Sequence, residues 1–77
     1  MMSQRKYPNE LERDIVDVFM AADGDLSAKD VREHLIHRGI NPSEAIIRRA
    51  LIKLESERVI TRAGEYRGSQ RVYWRLV

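Results

Sequence analysis

Gly39-Ile40-Asn41-Pro42 closes one helical pattern and opens another with almost no chain between them. Glycine accepts the left-handed backbone that ends a helix, because it carries no Cβ to clash. Proline suits the first helical position, where its missing N–H costs nothing. Asn41 is placed to cap the new helix, with Pro42 at its first position and Glu44 three residues beyond the cap. Two helices joined by a short turn are the consequence.

The same logic extends in both directions. Upstream, Pro8-Asn9 with Glu12 three residues after Asn9 has capping-box spacing. Leu11, Ile15, Val18, Phe19 and Ala22 then make one apolar stripe, ended by Asp23-Gly24-Asp25. Glu10, Glu12 and Asp14 suit the positive end of that helix dipole. A second helix starts near Leu26-Ser27, where Ser27 can cap, Asp30 supplies the capping-box acid and Leu26 can staple onto Val31. Val31 and Leu35 are its core positions, with Ile36 beside them. The third helix spans residues 42–57. With Ile47 set at zero, Leu51 and Leu54 fall within about 40° of it at roughly 100° per residue, which defines a buried stripe. Ala45, Arg49, Ile52 and Ser56 lie opposite, with Arg48 and Lys53 on the flanks.

After Arg58 the period changes to that of strands. Val59-Ile60-Thr61-Arg62 is short and β-prone. In Arg71–Val77, Val72, Trp74 and Leu76 alternate with Tyr73, Arg75 and Val77, as in a half-buried strand. The stretch between, Ala63 to Gln70, has two glycines and reads as a hairpin loop. Trp74 belongs on the buried face, where one large aromatic supplies much of a small core.

Size and composition narrow the function. Seventy-seven residues allow one domain, an N-terminal segment 1–8 followed by a folded unit 9–77. Without cysteine there is no disulfide, no thiolate zinc site and no cysteine nucleophile. Uninterrupted apolar runs reach only from Val18 to Ala22, and residues 1–6 do not resemble a signal peptide. A soluble, cytoplasmic protein with no membrane partner is the expectation. The formal net charge of +2 conceals an asymmetry. Residues 1–47 carry six basic against nine acidic side chains, a balance of −3, and residues 48–77 carry eight against three, a balance of +5. Eleven of the 14 basic residues are Arg, whose planar fork fits phosphate and guanine edges. A basic back half on a small domain suggests a face for a polyanion, against the alternative of a solvated, ion-paired surface.

Helix, helix, short turn, helix and hairpin, with the basic residues on the last two elements, resembles the winged helix-turn-helix family of small bacterial and archaeal transcriptional regulators. Leu26-Ser27 through Val31 and Leu35 resembles its second helix, and Ala45-Ile46-Ile47-Arg48-Arg49-Ala50-Leu51 through Leu54-Glu55 its recognition helix. Val59-Ile60-Thr61-Arg62, Gly64, Arg71, Tyr73, Trp74 and Leu76 resemble its wing. The likeness covers residues 9 to 77 and rests on the pattern of elements. It implies an α+β winged-helix fold binding double-stranded DNA. The recognition helix 42–57 would enter the major groove, and the wing 59–77 would touch backbone or minor groove.

Candidate contacts follow residue by residue. Ser43, Ala45, Ile46, Arg48, Arg49 and Lys53 come from the recognition helix, and Arg62, Tyr66, Arg67 and Arg71 from the wing. Arg49 is the candidate for a bidentate base contact, with a phosphate contact as the competing role. Ser43 is either a phosphate donor at the helix start or a cap-region residue. Glu44 reads as a capping partner rather than a cytosine reader. Arg67 is placed for the wing tip, and an arginine there suits a narrow minor groove. Tyr66 either packs on sugar or covers the hairpin. One such module buries roughly 600–1,000 Å² on DNA, so a homodimer on a palindrome is expected, through segment 1–8, the first helix or a strand edge.

Other classes have less behind them. His34 and His37 stand three apart near Asp30 and Glu33, but two histidines make a weak metal site. No phosphate loop and no nucleophile–base arrangement is present, so neither enzyme activity nor a cofactor is expected. Winged helices also serve as protein adaptors inside transcription, replication or repair complexes. Ile46 and Ile52, outside the core stripe, and the acidic first helix are what would mark that role.

Overall fold

The computed structural model describes residues 9–63 and 72–77. Helix α1 (Asn9–Ala21) buries Leu11, Ile15, Val18 and Phe19, the stripe its sequence spacing predicts. It ends as Gly24 adopts φ +133°, a conformation that side chains disfavour.

Strand β1 (Leu26–Ser27) leads directly into α2 (Ala28–His37), and Ser27 serves both elements. Its Oγ accepts the Asp30 backbone N–H at 3.2 Å, while its own N–H donates to Asp30 Oδ2 at 3.0 Å. That is the capping box expected from the sequence. Val31 and Leu35 are fully buried, whereas Ile36 stays 42% exposed. At the other end Gly39 has φ +83°, and its N–H donates to the Ile36 carbonyl while the Ile40 N–H donates to Leu35. This six-to-one and five-to-two pairing satisfies the last carbonyls of the helix.

Helix α3 (Glu44–Ser56) begins two residues later than the sequence pattern suggests. Ser43, not Asn41, is the cap: its Oγ accepts the Ile46 N–H at 3.2 Å. Arg32 of α2 accounts for the difference. Its guanidinium donates from Nε to the Pro42 carbonyl at 3.2 Å and from Nη2 to Asn41 Oδ1 at 3.4 Å, which ties both residues into the turn. Pro42 therefore precedes the helix, and Glu44 occupies its first position rather than the capping-box position. Inward, Ile47, Ala50, Leu51 and Leu54 are buried, matching the predicted stripe with Ala50 added. The C-terminal cap repeats the α2 pattern, with Arg58 N–H to Glu55 and Val59 N–H to Leu54. Here the left-handed position is held by Arg58, at φ +64°.

Strands β2 (Ile60–Arg62) and β3 (Tyr73–Leu76) pair antiparallel, with Ile60 opposite Leu76 and Arg62 opposite Trp74. β1 joins the other edge of β3, placing Leu26 opposite Trp74 and Ser27 opposite Tyr73. The result is a three-stranded sheet in the order β1-β3-β2, one strand more than the expected hairpin. Trp74 is 6% exposed and part of the core, as expected. The predicted alternation along its strand does not hold: Val72 and Leu76 are 37% and 36% exposed, and only Trp74 is buried. Among the described residues no helix is long and apolar enough to cross a membrane.

Candidate nucleic-acid interface

Packing decides which side of α3 is presented. With Ile47, Ala50, Leu51 and Leu54 inward, the outward surface consists of Ala45, Arg48, Arg49, Ile52, Lys53 and Ser56, all exposed. The basic side chains predicted to act together separate onto two flanks.

On the sheet side, Arg48 and Ile52 of α3 face Arg62, Val72 and Trp74 of the sheet and Ser27, Ala28 and Lys29 at the start of α2. Together with Glu44 these residues enclose an open cleft of about 410 Å³. Three cations, Lys29, Arg48 and Arg62, border an apolar floor of Ile52, Val72 and Trp74. The positive end of the α2 dipole opens into the same space. The Trp74 Nε1 is buried and has no hydrogen-bond partner among the described residues. Two of the cations are held in place by acids: Arg48 Nη2 lies 3.0 Å from Glu44 Oε2, one helical turn away, and Arg62 Nε lies 2.9 Å from Glu55 Oε2. The Arg62 guanidinium also sits 5.8 Å from the centre of the Trp74 ring, within cation–π range. Arg62 thus braces the sheet against α3 while lining the cleft.

On the α1 side, Lys53 Nζ is 3.3 Å from Oε2 of Glu12, a carboxylate that α1 buries. Lys53 is thereby drawn off the outward surface toward α1. Arg49 makes no ion pair among the described residues, and it is the unencumbered cation of the predicted recognition surface. Ile46 is 47% exposed beside it. Ser43 acts as the helix cap, the more modest of its two expected roles, and Glu44 pairs with Arg48 instead of capping. Tyr66, Arg67 and Arg71 lie outside the described residues.

Lys29 is the cleft residue that sequence reasoning missed. A signal was present: Lys29 stands in the first turn of α2, where a cation opposes the helix dipole and an acid is the usual choice. His34 and His37 line a shallow cavity with Asp30 and Glu33. Among the described residues no group of three or more metal-binding side chains is placed to hold an ion.

No protein-family model matches the chain, and no match is found among curated proteins. Solved structures do match. One, described as a structure of prokaryotic transcription factors, has a TM-score of 0.72 at 28% identity, over 83% of this chain and 50% of that one. The Vibrio cholerae ferric uptake regulator (Fur) has a TM-score of 0.77 at 20% identity, over 96% of this chain and 53% of its own. The Francisella tularensis ferric uptake regulator, solved with iron, has a TM-score of 0.75 at 23% identity, over 96% and 58%. The chain spans about half the length of the structures it matches. Three helices and a small antiparallel sheet, its first strand between α1 and α2 and the other two after α3, make the fold a winged helix-turn-helix.

Proposed function

We propose that this chain binds double-stranded DNA and acts as a transcriptional regulator. Helix α3 lies in the major groove, and the wing, residues 59–77, rests on the adjacent backbone or minor groove. The observation that carries this reading is the cleft in which Lys29, Arg48 and Arg62 gather at the positive end of α2, beside the exposed surface of α3. A phosphate backbone supplies the charge such a cleft attracts. The likeness to a structure of prokaryotic transcription factors points the same way. Arg49, free of acidic partners among the described residues, reads a base edge, with Ala45 small enough to let the helix approach. Ser43, Ile46 and Lys53 border that contact; Tyr66, Arg67 and Arg71 extend the wing's grip. Two copies on a palindromic site supply the area that one module lacks.

A protein adaptor is the second reading, favoured by Ile52 at 57% exposure. Its place inside a cation-rimmed cleft favours a polyanion over an apolar partner. Fluorescence anisotropy of labelled duplex at several salt concentrations tests the choice. DNA binding appears as log-linear weakening, about 0.9 per phosphate neutralised. No binding at low salt refutes the reading and promotes the adaptor. Arg49→Ala should relax sequence discrimination more than Arg67→Ala does; equal, uniform weakening makes Arg49 a phosphate contact.

A further inference from the structure

A second cavity, of about 600 Å³, opens on the opposite flank of α3, between α1 and the α2–α3 turn. That volume falls in the range of small-molecule pockets, which combine apolar walls with a few placed polar groups. The walls include Leu11, Ile40 and Ile46; the charged groups are Glu12, Arg49 and Lys53. Glu12 is 9% exposed, and its Oε2 makes no hydrogen bond among the described residues. The Lys53 ammonium, 3.3 Å away on a side chain 45% exposed, supplies charge without hydrogen-bond alignment. A buried carboxylate oxygen left in this condition in so small a domain calls for a donor. Arg49, exposed and with no ion pair among the described residues, is available to an anion.

We infer that this cavity binds an apolar α-amino acid. The side chain packs on Leu11, Ile40 and Ile46. The ammonium takes the place of Lys53 on Glu12, and the carboxylate is held by Arg49 and the released Lys53. Spacing favours the zwitterion: its nitrogen and carboxyl carbon are only about 2.5 Å apart, so its ammonium can meet Glu12 while its carboxylate meets Lys53, displaced from their 3.3 Å pair. A carboxylate without the amine leaves Glu12 Oε2 unsatisfied. An amine without the carboxylate places a third cation beside Arg49 and Lys53. Because Arg49 projects from the outward surface of α3, occupancy also withdraws it from DNA; that consequence, unlike the binding itself, rests on the DNA-binding reading.

The test is an NMR titration of the ¹⁵N-labelled 77-residue chain, without DNA, using L-leucine, 4-methylpentanoate and 3-methylbutylamine as probes. Leucine should shift the amides of Ile40, Ile46 and Ala50 saturably, with a Kd on the order of 1 mM for so small a ligand. Each one-headed analogue should bind at least about tenfold more weakly, and Glu12→Gln should weaken leucine by a similar factor. Absence of saturable shifts with leucine overturns the inference. So does equal binding of 4-methylpentanoate, which would make the cavity an apolar groove indifferent to Glu12. Equal binding of 3-methylbutylamine overturns the role of Arg49. The three-probe comparison needs no variant, so it decides the matter even if Glu12→Gln fails to fold. Adding leucine to the duplex titration should then weaken DNA binding; unchanged affinity, with leucine binding intact, refutes only the shared use of Arg49.

Discussion

Replacing Lys29 with alanine should make the protein more stable and a poorer DNA binder. Lys29 sits in the first turn of α2, two residues after the Ser27 cap, where its charge opposes the helix dipole. Such an unfavourable placement costs about 0.3–1 kcal/mol on an exposed helix end, and alanine adds helix propensity. For a domain of this size, 1 kcal/mol moves the melting temperature by about 4–8 °C, so Lys29→Ala should raise it by roughly 2–6 °C. The same side chain borders the cleft with Arg48 and Arg62. If it neutralises one phosphate, its loss should lower the slope of log K against log salt by about 0.9 and weaken binding about eightfold at 0.1 M salt, uniformly across sequences. Thermal melts and anisotropy titrations on the same preparation read both effects. An unchanged salt slope would show that Lys29 does not meet the backbone. A lower melting temperature would show that the dipole argument misjudges the site.

Arg58→Gly should stabilise the fold by about 0.5–1 kcal/mol, because φ +64° costs a side-chain-bearing residue more than glycine loses in chain entropy; a fall in melting temperature would refute this. Ser27→Ala removes a buried cap hydroxyl and should cost about 1–2 kcal/mol, seen as a drop in the urea midpoint. Glu44→Gln breaks an exposed pair worth at most about 0.5 kcal/mol. It should therefore leave the melt almost unchanged while tightening duplex binding, since it removes an acid beside Arg48; weaker binding would instead indicate that Glu44 positions Arg48 productively.

Much of the scaffold was legible because its signals are local. The spacing of Leu11, Ile15, Val18 and Phe19, the Ser27–Asp30 capping box and the glycine stop at Gly39 each involve residues within a turn or two. The start of α3 was misplaced where a distant side chain intervened: Arg32 engages Asn41 and Pro42 from ten residues upstream, and the cap passes to Ser43. Strand β1 was missed for a related reason. Two residues have no period of their own, and Leu26–Ser27 become a strand only by pairing with Trp74 and Tyr73, nearly fifty positions away.

The candidate interface divides along the same line. Which residues of α3 face outward follows from helical periodicity, so Ala45, Arg48, Arg49, Ile52, Lys53 and Ser56 could be named from the sequence alone. Their electrostatic condition could not. Glu12 claims Lys53 across the α1–α3 contact, Glu44 and Glu55 hold Arg48 and Arg62, and Arg49 is left free among the described residues. Lys29 enters the cleft because β1 draws the start of α2 against the sheet. By itself the sequence determined the elements and their buried faces, because secondary structure and amphipathicity are properties of short windows. The tertiary structure decided which charges meet, because an ion pair depends on distances of a few ångströms between residues that only packing brings together.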